Sequence, residues 1–262
     1  MNAAFLYLAT GAAAGLMAGL LGVGGGLIVV PVLAFHFAHA HLTGEHLMHL
    51  AIGTSLAGIA VTGLSSVIAH HRRAAVDWGV VKGLTPGLIV GALSGAVVAG
   101  QLATGSLQRL FGVFELVVAV QIGFAVQPTV HRLLPKGLGL GAAGVVIGVV
   151  SSLLGIGGGT LTVPFLLWCG ISIRQAVAIS AACGLPIAVA GAAGFVAGGW
   201  HAPGLPAAST GYVYWPAFVG IAAASVLFAP LGARLAHTIP KNLLRRIFAG
   251  FLLLAGLKML LG

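Results

Sequence analysis

Charge is what this chain has least of. Lys, Arg, Asp and Glu together make up 6% of its 262 residues, and only 3 of those are acidic. A water-soluble domain carries about a quarter of its residues charged, so this chain cannot wet a surface of that kind. Cysteine is scarce as well. Cys169 and Cys183 both lie in apolar segments, at no spacing that suits a metal site or a disulfide framework, and read as small packing residues. Met1 to Thr10 hold no Lys or Arg ahead of their apolar stretch, so a basic cleaved leader is not expected. Basic residues outnumber acidic ones, for a formal charge of +9, yet they form no patch or arm that would bind nucleic acid. They sit in short loops between apolar runs, where positive charge sets membrane orientation.

What the chain has is apolar length and glycine: 59% hydrophobic residues and 42 Gly. Apolar segments run roughly over 3–37, 46–69, 80–103, 107–126, 138–168, 175–198, 212–235 and 243–261. Lipid is the expected solvent and membrane lipid the expected surroundings. The first and fifth segments are too long for one crossing, since 35 helical residues extend about 52 Å against a hydrocarbon core near 30 Å. Each holds a glycine cluster, Gly22-Val23-Gly24-Gly25-Gly26 and Gly155-Ile156-Gly157-Gly158-Gly159, with Pro31 or Pro164 following. Glycine in a helix interior costs about 1 kcal/mol per residue, so helix, unwound loop, helix is expected in both.

The two segments are copies. Gly15, Leu20, Leu21, Gly22, Gly24, Gly25, Gly26, Val30, Pro31 and Leu33 recur 133 positions later as Gly148, Leu153, Leu154, Gly155, Gly157, Gly158, Gly159, Val163, Pro164 and Leu166. Weaker echoes at a spacing of 137 pair Trp78 with Trp215, Gly95 with Gly232 and Phe111 with Phe248. The halves are residues 1–128 and 137–262. If each broken segment is a hairpin, one side of the membrane collects Arg72, Arg73, Lys82, Arg132, Lys136, Arg174, Arg234, Lys241, Arg245 and Arg246, and the other keeps Arg109 and Lys258. That segregation favours the hairpin reading over a single crossing, and it makes the second half inverted. The expected fold is all-α: a polytopic transmembrane protein of two inverted repeats, each a Gly-broken helical hairpin followed by three spanning helices.

Inverted repeats with broken helices place a substrate near the midplane, at the repeat interface. A Gly-rich break lets successive N–H groups converge at a helix start, so an anion can be held without a lysine. Tight helix packing is the other use of such glycines. The motifs Leu21-Gly22-Val23-Gly24-Gly25-Gly26 and Leu154-Gly155-Ile156-Gly157-Gly158-Gly159, each with its Pro, resemble the sulfite exporter (TauE/SafE) family, as do Ile52-Gly53-Thr54-Ser55 and Arg72-Arg73-Ala74-Ala75-Val76-Asp77-Trp78. The resemblance covers nearly the whole chain. It implies a bacterial inner-membrane permease that exports sulfite, sulfonates or related organic anions. The second half departs from the pattern, with Ile179-Ser180-Ala181-Ala182 where a Gly-Thr-Ser is expected.

The expected substrate contacts are therefore Gly22, Gly24, Gly25 and Gly26 in one half and Gly155, Gly157, Gly158 and Gly159 in the other. Thr54, Ser55 and Ser180 would add hydroxyls. Glu115, the single carboxylate within an apolar run, is a candidate for proton coupling, or a carboxyl facing a neighbouring helix. His36, His39, His41, His46 and His49 cluster around Glu45 without the spacing of a closed metal site, and read as interfacial. Asp77 reads as a local ion-pair partner of the adjoining basic residues. An anion channel, an intramembrane metalloenzyme and a metal-uptake or assembly factor using the His-rich loop are the rival readings. No enzyme activity, cofactor or resident metal is expected, and a homodimer is compatible with the chain.

Overall fold

The computed structural model describes residues 3–21, 25–40, 42, 44–72, 75–124, 133–235 and 241–261. The first half builds α1 (Ala3–Leu21), α2 (Gly26–His39), α3 (Leu47–Arg72), α4 (Trp78–Gln101) and α5 (Thr104–Gly123). The second builds α6 (Leu138–Leu154), α7 (Gly159–Trp168), α8 (Ile173–Gly198), α9 (Trp215–Leu235) and α10 (Lys241–Leu261). Between α8 and α9 lies an antiparallel pair, β1 (Ser209–Thr210) and β2 (Val213–Tyr214). Six of the helices, α1, α3, α4, α5, α8 and α9, are long and apolar enough to cross a membrane. α10 has a comparable length but carries Lys241, Arg245, Arg246 and Lys258. The chain is an all-α polytopic membrane protein. Its outward faces bear Val90, Val97, Val117 and Leu254, all exposed, as lipid-facing side chains are.

Both long segments break where glycine clusters, with α1 and α6 ending before the cluster and α2 and α7 beginning at its last glycine. The prolines do not take part in the break. Pro31 and Pro164 each stand inside the following helix, which runs on through them. α1 is longer than a half-depth arm: 19 residues rise about 28 Å, close to a full hydrocarbon core. Asp77 caps α4. Its carboxylate accepts hydrogen bonds from the N–H groups of Gly79 (2.9 Å) and Val80 (3.3 Å), the usual service of an Asp one residue before a helix.

Glycine also sets how the helices pack. α4 lies along α6 with backbone against backbone: a Cβ at Gly87, Gly91 or Gly95 would come within 2.0, 2.2 and 2.6 Å of the carbonyl oxygens of Gly141, Val145 and Val149. α1 lies along α9 in the same way, Gly11 and Gly15 facing the carbonyls of Ile221 and Ser225. Gly11 and Gly15 are the repeat mates of Gly144 and Gly148, which face the carbonyls of Leu84 and Leu88. Exchanging the halves thus turns one seam into the other. The remaining close pairs, α3 with α8 and α5 with α10, map onto themselves under that exchange. Both run antiparallel. Along the first, Gly53, Leu56 and Gly63 meet Phe195, Gly191 and Leu185; along the second, Gln108, Gly112 and Gly123 meet Met259, Gly256 and Ala249.

The helix ends therefore sort onto two faces. On one, His49 meets Ala99 and His46 meets Tyr212; on the other, Arg245 donates to the carbonyls of Ile122 (2.9 Å) and Gly123 (3.2 Å). Single-cysteine labelling in a Cys169- and Cys183-replaced background should mark positions 104 and 201 from outside the cell and leave 72 and 174 unmarked. Labelling of 72 together with 201 would reject an inverted pair of repeats. The seams yield a second expectation. Gly91→Ala should destabilise the protein in detergent by about 1–3 kcal/mol through overpacking. Gly100→Ala, whose new methyl meets nothing within 4 Å, should leave the melting temperature unchanged or raise it.

Candidate substrate site at the paired helix breaks

The two breaks touch. A Cβ on Gly26 would lie 2.5 Å from the Gly155 carbonyl oxygen and 3.2 Å from Ile59, and one on Gly157 would lie 2.9 Å from the same isoleucine. Ile52 and Val30 close over Gly155, while Ile187 and Gly184 close over Gly158. The meeting point lies against Ile52, Ser55 and Ile59 in the first half of α3 and against Gly184 and Ile187 near the middle of α8, each helix 26 residues and about 39 Å long. Backbone without helical pairing is stable at that depth only because protein encloses it on every side.

The breaks differ in conformation. Gly25 caps α2 with φ −75°, an ordinary right-handed value, and a Cβ there would meet Ala14, its methyl first at 3.1 Å. Gly155 and Gly158 take φ +66° and +71°, the left-handed region in which any side chain is strained. Gly155 donates to the Ser152 carbonyl (3.2 Å), Ile156 to that of Ser151 (2.9 Å), and Gly159 to that of Gly157 (2.8 Å). No acceptor among the described residues meets the N–H groups of Gly157, Gly158 or Thr160. Gly22 and Gly24 lie outside the described residues.

The hydroxyls expected to line the site have structural partners. Ser55 donates to the Gly155 carbonyl (2.8 Å), which ties α3 to the second break and leaves that hydroxyl no proton for an anion. Thr54, one residue earlier, accepts from the Tyr214 N–H (3.0 Å), so its own proton is still available. Ser180 is buried in α8, one turn before Gly184. Four further hydroxyls were not anticipated: Ser151 and Ser152 at the end of α6, and Thr160 and Thr162 at the start of α7. All are buried, and their oxygens have no hydrogen-bond partner among the described residues. The available signal was the repeat itself, because the mates of these residues are Ala18, Gly19, Leu27 and Val29.

On the face that carries Ala99 and Thr104, the segment after α8 folds back over α3. The Tyr212 carbonyl sits on Gly53, and Tyr212 packs its ring against His46 and His49 with centroids 5.3 and 5.0 Å away. The phenol hydroxyl pairs with His46 Nδ1 (3.3 Å), and burial pushes its pKa up, so it stays protonated. The histidines serve this packing. His49 Nε2 bonds the Ala99 carbonyl (2.8 Å), His39 Nδ1 the Phe35 carbonyl (2.7 Å), and the His36 ring meets Tyr7 edge-on at 5.2 Å. His41 is outside the described residues. No group of three or more His, Cys, Asp or Glu among the described residues is placed to hold a metal ion.

Glu115 is not at the breaks. It faces α10 from α5, its Cβ 3.2 Å from where a Gly256 Cβ would be, fully buried and with neither carboxyl oxygen hydrogen-bonded.

Comparison with known proteins agrees with this architecture. The family model described as "Sulfite exporter TauE/SafE" matches residues 7–259. A "Probable membrane transporter protein" of Haemophilus influenzae is 36% identical over 259 residues, 98% of this chain and 97% of the other. One of Methanocaldococcus jannaschii is 28% identical over 98% of this chain and 95% of its own. No solved structure matches. With the family model running from α1 to α10, the chain belongs to the TauE/SafE sulfite exporter family of membrane proteins.

Proposed function

We propose that this protein exports a small sulfur-containing anion, such as sulfite or a sulfonate, across a bacterial inner membrane, with Glu115 coupling transport to protons. One observation carries the reading: two glycine breaks, one from each half, meet between the two central helices, and N–H groups at both helix starts have no acceptor among the described residues. Ions taken from water to that depth must recover their lost hydration. The positively charged side chains gather at helix ends, so backbone donors are the abundant replacement. The antiparallel α3–α8 and α5–α10 pairs support an inverted relation between the halves, which lets one site face either side in turn. Close packing of Ile52, Ile59 and Ile187 around the break supports a carrier that must move over an open pore.

Purified protein in detergent should be stabilised against heat by sulfite, thiosulfate or methanesulfonate, and reconstituted vesicles should show saturable transport against a gradient. Gly158→Ala, which places a methyl at φ +71° and 2.6 Å from Ile187, should weaken that binding at least tenfold, with Gly100→Ala as the neutral comparison. Parent-like binding by a folded Gly158→Ala variant would reduce the breaks to packing devices. Glu115→Gln should keep anion binding and flatten the pH dependence of transport. An unchanged pH profile in that variant would leave Glu115 a structural residue.

A further inference from the structure

We infer that the ligand is held by the second break alone, as an oxyanion with three or more acceptor oxygens, seated on the hydroxyls of Thr160, Thr162, Ser151 and Ser152 and the free N–H groups of Gly157, Gly158 and Thr160. This deepens the anion-transport reading and rests on it.

The four hydroxyls between Ser151 and Thr162 are buried without a partner among the described residues. A buried hydroxyl left unpaired costs about 1–3 kcal/mol, and native proteins keep few of them. Several at one place mean that something else pairs with them. Elsewhere Ser225 donates to the Gly11 carbonyl (2.8 Å) and Ser55 to that of Gly155, while a single further hydroxyl among the described residues, Ser209, is buried unpaired and lies far from the break in sequence. The unpaired group is also confined to one repeat. At the mates of these four positions the first half has Ala18, Gly19, Leu27 and Val29, none of which has a polar side chain. The scaffold shared by the two copies therefore does not require these four hydroxyls, which leaves them to serve a ligand.

The geometry fits an anion at the α7 start. Gly158 in the left-handed region turns its N–H out of the helical path, as in the backbone nests that bind anions, and the helix dipole adds to it. Thr162 Oγ1 lies 3.5 Å from the point a Gly158 Cβ would occupy, so this hydroxyl is at the break itself. Ser152 Oγ lies 3.1 Å from the corresponding point of Gly191, on the same α8 that Gly158 meets at Ile187. The donors thus flank the break on both its helices. They are uncharged, so they distinguish ligands by the number and direction of acceptor oxygens. A halide has none, a carboxylate has two in one plane, and a sulfur or phosphorus oxyanion presents three or more.

The test is thermal stabilisation of the purified parent by sodium sulfite, sulfate, phosphate, acetate and chloride, followed by titration of variants. Thr160→Val with Thr162→Val, and Ser151→Ala with Ser152→Ala, should each weaken oxyanion binding at least tenfold. Because they remove unpaired groups, the same variants should melt, when empty, at or above the parent temperature. Thr162→Ser should bind within threefold of the parent. Ser225→Ala should melt lower and bind normally. If the parent binds sulfite and both double variants bind it within twofold, or if chloride competes as well as sulfate, the oxyanion seat is wrong while anion transport stands. If no anion stabilises the parent, the transport reading falls and this one with it.

Discussion

In hydrocarbon an unpaired peptide group has no water to turn to, and every feature of this chain answers to that constraint. It makes the spans helical, draws the basic side chains toward their ends, and allows helix breaks only where other helices wrap them. The breaks in turn decide which helices must be central. α3 and α8 are the longest in the structure, and they are the ones that enclose Gly155 to Gly159. The outer helices close the assembly through glycine seams, where carbonyl oxygens stand where side chains would otherwise be. Glycine thus serves opposite ends: it dissolves helix at two places and lets intact helices approach at many more.

Much of this was legible in the sequence because it is written locally. Charge scarcity, apolar length and glycine runs are properties of short windows, and the breaks fell where the clusters stand. The repeat was legible because both copies keep the glycines that face a neighbouring backbone, Gly15 with Gly148 and Gly95 with Gly232. The misreadings came from local inference as well. In the sequence Pro31 and Pro164 count with the glycines as part of the breaks, yet each stands past the first turn of the following helix, which continues through it. Asp77 beside two arginines reads as an ion-pair partner, and its capping of α4 is not foreseen.

Hydrogen-bond partners were not legible. Thr54 and Ser55 are answered by groups 160 and 100 residues away, and nothing near them in the chain reveals that. The unpaired state of Ser151, Ser152, Thr160 and Thr162 is likewise a property of packing alone. Their positions nevertheless left a trace. Duplicated sequence separates what holds the fold from what serves only one copy, and the places where the copies differ in polarity repay attention more than the places where they agree.

Thr54 and Ser55 are neighbours, and their two bonds point to different bodies: one to the β-hairpin strand at Tyr214, the other to the Gly155 carbonyl. Adjacent residues of a helix cannot slide or turn independently. Displacing α3 relative to either body therefore strains the bond to the other within a single peptide unit. The hairpin and the break are thus held in fixed register with each other through that unit.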